Sequence, residues 1–105
     1  MNLHLVCKDR HSIRRVSGTP DIYETGNWVV APATADQCVG GSLFLHDAQR
    51  LPSYHGGRIL RWYLAPSEGQ SSRVVFVYRS LADHCMVSAG LGGWSQEIKL
   101  DQISP

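Results

Sequence analysis

At 105 residues, 43% hydrophobic and 18% charged, the sequence describes one ordinary globular domain with no room for a second core. A formal net charge of +1 excludes a general polyanion-coating surface. No stretch approaches the roughly 18–20 consecutive apolar residues of a membrane span, and the apolar stretch near Met1 is too short for a signal peptide. The expected location is therefore cytoplasmic. Cys7, Cys38 and Cys85 are odd in number and widely spaced, which argues for reduced, mostly buried thiols over a disulfide framework.

In chain order, residues 2–7 alternate, with Leu3, Leu5 and Cys7 on one side and His4 and Val6 on the other, predicting a short strand. Residues 8–26 are mixed and charged and read as a loop with at most one helical turn. Residues 27–31 predict a strand ending at Pro32. Residues 34–38 predict a short helix, capped by Thr34 and stopped by Gly40-Gly41. Residues 42–46 form a strand signal, 47–57 a polar loop, and 58–65 a long strand. A turn-rich connection over 66–72 leads to a strand over 73–80, with Val74, Phe76 and Tyr78 on one face and Arg73, Val75, Val77 and Arg79 on the other. A further strand over 84–88, a flexible turn over 89–93 and a last strand or short helix over 94–100 complete the chain.

Five or six short strands with one or two short helices predict a mainly β domain, either a small barrel or a strongly curved sheet. The strands over 58–65 and 73–80 carry large apolar residues on both faces. One face fills the core, and the other must meet a helix, a ligand or a partner. Trp62 and Tyr63 point to opposite sides for the same reason.

The segment from His46 to Arg58 is the main candidate site. Pro52 stiffens it, Gly56-Gly57 permits close backbone approach, and Ser53, Tyr54 and His55 offer a hydroxyl, an aromatic platform and an imidazole. These groups, with His46, suit a pocket that stacks on and hydrogen-bonds to a flat polar ligand. Asn27 and Trp28 supply a second wall, and Trp94 and Gln96 a third. The bland alternative is that Tyr54 anchors the loop and Trp28 belongs to the core.

Eight of the ten cationic residues are arginine, whose planar fork suits phosphate or base edges. Arg58, Arg61, Arg73 and Arg79 lie on neighbouring predicted strands and are candidates for phosphate contact despite the near-neutral total. His4 and Cys7 would face opposite ways on a strand, as would His84 and Cys85, and no CxxC or HxxxH pair occurs, so no metal site or cofactor is expected. Ser42 follows Gly40-Gly41 but begins a strand, which does not fit a nucleophile elbow, and no catalytic set is assigned.

The pieces at 27–30 (NWVV), 39–47 (VGGSLFLHD), 56–65 (GGRILRWYLA) and 72–80 (SRVVFVYRS) occur in an order that resembles PUA-like domains, particularly the EVE and ASCH groups, over roughly residues 26–80. The resemblance implies a compact β-barrel that binds RNA or a modified DNA base, with Trp28 as a pocket wall and His46 at a strand end. The leading expectation is accordingly a non-catalytic module binding nucleic acid, with aromatics stacking on an unpaired or flipped base while Asn27, His46, Ser53 or Gln96 read its edge. One alternative is a small hydrolase or isomerase using His46, His55 and Glu97. Another is an interaction module, a homodimer among them, in which Trp62 or Tyr63 covers a partner.

Overall fold

The computed structural model describes residues 1–7, 13–65, 73–89, 94–95 and 98–101. These form eight strands, β1 (Asn2–Val6), β2 (Ile13–Arg15), β3 (Ile22–Trp28), β4 (Ser42–His46), β5 (Ser53–Leu64), β6 (Val74–Ser80), β7 (Trp94–Ser95) and β8 (Ile98–Asp101), with one helix, α1 (Pro32–Cys38), and a 3-10 turn at Ala82–His84. The strands make a single sheet in the order β2-β3-β6-β5-β4-β1-β8-β7. The mainly β expectation holds, but the sheet has more strands than the five or six expected. Nor is it a barrel: among the described residues the end strands β2 and β7 do not pair with each other.

The expected loop over 8–26 contains β2 and most of β3, joined by a turn in which Val16 N–H donates to Ile22 O at 2.8 Å and Gly18 takes a φ of 82°. Polar residues such as Glu24 and Arg14 hid these strands, because their pattern suits a sheet face open to water. The strand expected over 27–31 ends at Trp28 instead, after a register shift between Thr25 and Trp28. Helix α1 starts at Pro32, not Thr34, and Ala31 is the capping position, without a side-chain hydrogen bond. Proline fits the first helical turn because its fixed φ is helical and its missing N–H is not needed there. Gly40, with φ of 85°, follows the helix as expected.

The largest correction concerns residues 47–57. Only 47–52 connect the strands, because β5 begins at Ser53 and pairs His55, Gly56 and Gly57 with Leu45, Phe44 and Leu43. The glycines serve this pairing. A Cβ at Gly57 would lie 1.7 Å from the Arg79 carbonyl oxygen, and one at Gly56 would lie 2.2 Å from that of Leu43 and 3.2 Å from His84 Cβ. The expected strand over 84–88 is also absent: Met86 has a φ of 62°, which interrupts extended backbone. The expected turn over 66–72 and most of that over 89–93 lie outside the described residues.

Strand register sorts the side chains onto two faces. One carries Leu3, Leu5, Leu43, Leu45, Ile59, Val74, Phe76, Tyr78 and Trp28, all buried, and α1 contributes Ala35 and Cys38 to the same cluster. Each fully buried leucine or isoleucine there is worth about 1.5–3 kcal/mol relative to exposure. Trp62 joins this face and donates its Nε1–H to Asp36 Oδ1 on α1 at 2.8 Å. Tyr63 points the other way, its hydroxyl 2.8 Å from Glu24 Oε2. The opposite orientations expected of this pair are therefore observed, and each is engaged within the chain.

No helix of the described residues is long and apolar enough to cross a membrane. Cys7 and Cys38 are buried free thiols, while Cys85 is exposed.

Candidate functional site: the polar face of the sheet

The second face holds nearly all of the buried polar chemistry, and it has two parts. Over β4 and β1, His4, Phe44 and His46 project together because His4 is opposite Phe44 and Val6 opposite His46 in parallel register. Part of the chain itself covers them: the 3-10 turn and the residues after it, hooked to β5 through Ser53. Ser53 N–H donates to Val87 O at 2.9 Å, Met86 N–H to Ser53 O at 2.6 Å, and Val87 N–H to the Ser53 hydroxyl oxygen at 2.9 Å. The Ser53 hydroxyl in turn donates to His84 O at 2.6 Å.

Rings stack in a column beneath this strap. His84 lies flat on Phe44 with centroids 4.9 Å apart, and Phe44 on His4 at 4.6 Å. His4 meets His46 at 5.1 Å, and Trp94 closes the end edge-on at 5.8 Å from His46. The Leu51 carbonyl can only accept, so His46 Nδ1 donates to it at 2.7 Å. Its Nε2 is then the acceptor for His4 Nδ1–H at 2.9 Å. Burial lowers the His46 pKa below the usual imidazole value, as does the charge of Lys99, and these outweigh the opposing bond to Leu51 O.

At the other end of the column, His84 reaches Ser42. The His84 Nδ1 lies 2.6 Å from Asp83 Oδ1 and its Nε2 2.9 Å from Ser42 Oγ. A carboxylate accepts only, so Nδ1 carries the proton and Nε2 accepts from the serine hydroxyl. Ser42 is 7% exposed, whereas the Asp83 side chain is 83% exposed. Ser42 also lines a cavity of about 330 Å³ with Met1, Asn2, Val39, Gly40, Gly41 and Arg58.

The second part of this face runs across β5, β6, β3 and β2. Arg58 stands opposite Ser42 on one side and Arg79 on the other. Arg61, opposite Val77, sits 5.9 Å over the Tyr63 ring, and Arg14 pairs with Glu24. Burial pushes the Glu24 carboxyl up, but its hydrogen bonds from Arg14 and Tyr63 and the charges of Arg14 and Arg61 prevail and hold it below the usual carboxylate range. Arg79 has Asp21 at 3.6 Å, and Arg58 donates to Gly40 O at 2.7 Å. Arg73, exposed, precedes β6 and continues its alternation on this face.

The proposed wall residues are therefore dispersed. Trp28 is 6% exposed in the aliphatic core, its Nε1–H donating to Thr25 Oγ1 at 3.2 Å, while Asn27 beside it is exposed. Tyr54 bonds the Cys7 carbonyl and packs against the core. His55 lies on the core face with Nδ1 at 2.8 Å from the Tyr78 hydroxyl. His46 does meet two of the others, Ser53 across the strand pair and Trp94 edge-on, with His46 and Ser53 buried and Trp94 half-buried. Trp28 and Trp94 stand on opposite faces, in strands near opposite ends of the sheet. His46 and His55 likewise face opposite ways, so they do not form an acid–base pair. Gln96 and Glu97 lie outside the described residues. Among the described residues no cluster of three or more His, Cys, Asp or Glu has metal-binding geometry.

Sequence reasoning missed the Ser42–His84–Asp83 chain because Ser42 lies 42 residues before His84 and no local spacing joins it to the adjacent Asp83 and His84. No protein-family model, curated protein or solved structure matches the chain.

Proposed function

We propose that the protein is a small module that binds single-stranded nucleic acid through phosphates along the arginine-bearing part of its polar face. The observation that carries this reading is the direct cross-strand placement of Arg58 and Arg79. Like charges at opposite positions destabilise a sheet, and an anion between them turns that repulsion into attraction. Arg61 and Arg73 extend the row on the same face, and Tyr63, under Arg61, offers an aromatic edge. The resemblance of residues 26–80 to PUA-like domains supports the same reading and extends it to a flipped or modified base. It also fits a cytoplasmic setting.

Fluorescence anisotropy with labelled single-stranded DNA and RNA, with and without modified bases, tests it across a salt series. Affinity is expected to fall as salt rises, and Arg58→Ala and Arg79→Ala should each reduce the log–log salt slope by about 0.7, the single-strand value for one phosphate contact. Salt-independent binding, or an Arg79→Ala slope equal to wild type, would refute the reading.

A further inference from the structure

The cavity beside Ser42 adjoins the arginine row but has chemistry of its own. We propose that Ser42 is a nucleophile, activated by His84 and Asp83, that hydrolyses small carboxylic esters whose acyl group carries an anionic end recognised by Arg58.

Three observations independent of nucleic-acid binding support the assignment. The first is the order and polarity of the hydrogen bonds: Ser42 Oγ to His84 Nε2 at 2.9 Å and His84 Nδ1 to Asp83 Oδ1 at 2.6 Å. Both lie within the reach that a nucleophile and its base require. The second is the rigidity of the base. The His84 ring lies on Phe44 at an interplanar angle of 16°, its backbone N–H donates to Leu81 O at 3.1 Å, and its carbonyl accepts from Ser53. These contacts fix the imidazole before substrate arrives. The third is a ligand-sized hollow beside the serine. Ser42 borders the cavity of about 330 Å³, at the small end of ligand-sized pockets, and Arg58, its cross-strand neighbour, borders the same space.

In the reaction, Ser42 Oγ bonds to the ester carbonyl carbon while its proton passes to His84 Nε2. The carbonyl π pair moves onto oxygen, giving a tetrahedral oxyanion. Collapse expels the alkoxide, which takes the proton from His84 Nε2 and leaves as the alcohol. Water then attacks the acyl-serine, giving a proton to His84 Nε2. That proton returns to Ser42 Oγ as the carboxylic acid departs. The backbone N–H groups of Gly40, Gly41 and Ser42 are already bonded, to Ile59 O, Cys38 O and Asn2 Oδ1, so they form no oxyanion hole. Arg58 is a charged donor at the cavity, and it selects an anionic acyl group. Asp83 is a positioning residue: its exposure screens its charge, leaving it to fix the His84 tautomer.

The probes are mono-4-nitrophenyl succinate, which is anionic, and 4-nitrophenyl acetate, which is neutral. The expected result is catalytic nitrophenolate release that prefers the succinate ester, with mass spectrometry finding the acyl group on Ser42. Ser42→Ala and His84→Gln should each lower kcat by about 10²-fold or more, with melting temperatures reported alongside to separate misfolding from lost chemistry. Asp83→Asn should give a smaller fall in kcat with KM unchanged. Arg58→Gln should lower the ratio of kcat/KM for the succinate ester to that for the acetate ester to about one. Full turnover in folded Ser42→Ala, acylation only at another side chain, or no turnover of either ester by the wild-type protein would overturn the proposal.

Discussion

The two faces of the sheet solve burial in opposite ways. The face under α1 is filled by aliphatic and aromatic side chains whose polar atoms are few and locally paired, such as Trp28 with Thr25. The face under the 82–89 strap buries His4, Ser42, His46, Ser53 and His84, each bonded to a neighbour, and no described buried side-chain nitrogen or oxygen lacks a partner. An aliphatic core tolerates small shifts at the cost of packing, whereas a hydrogen-bonded polar layer fixes orientation and responds to protons. Apolar burial is concentrated on the first face and buried hydrogen bonding on the second.

Substitutions can break this contrast in graded steps. The largest effect is expected at Gly57, where both faces depend on the same close backbone approach. Gly57→Val drives a side chain into the Arg79 carbonyl and should leave no cooperative thermal transition in circular dichroism. On the aliphatic face, Leu45→Ala should cost about 2–5 kcal/mol in urea unfolding, as truncations of fully buried leucines do.

The polar face should respond to pH. Because the folded-state pKa of His46 is lowered, the unfolded chain binds the extra proton more readily. Its contribution to stability is therefore complete above the unfolded value of about 6.5 and is lost as pH falls towards the lower folded value. The limiting slope is about 1.4 kcal/mol per pH unit for one proton. Urea titrations between about pH 7.5 and 5 should show that loss, and it should shrink in His46→Gln. The smallest effect is expected at the link between α1 and the sheet, where Trp62→Phe removes the bond to Asp36 and should cost about 1 kcal/mol.

What was legible in the sequence followed the two faces. Alternation placed Val74, Phe76 and Tyr78 together on one face and Trp62 opposite to Tyr63, because a period of two is a local property of one strand. The start of β5 was illegible for a physical reason. Ser-Tyr-His-Gly-Gly has the composition of a loop, and only pairing with β4 makes it a strand. Strands β2 and β3 were hidden because their outward residues are charged partners such as Arg14 and Glu24. His46, Ser53 and Trp94 were grouped by their chemistry; in the structure His46 pairs with Ser53 across the strands and meets Trp94 edge-on, contacts set by residues distant in sequence. The arginine row was visible in outline, and register sharpened it into the opposed pair Arg58 and Arg79.

The sheet order has one practical consequence. Strand β1 lies between β4 and β8, parallel to the first and antiparallel to the second, with Asn2 opposite Asp101. A weakened β1 would therefore loosen a parallel and an antiparallel ladder at once. That end of the sheet is also where Met1 and Asn2 border the cavity beside Ser42. Loosening β1 would therefore also displace two of the residues that line that space.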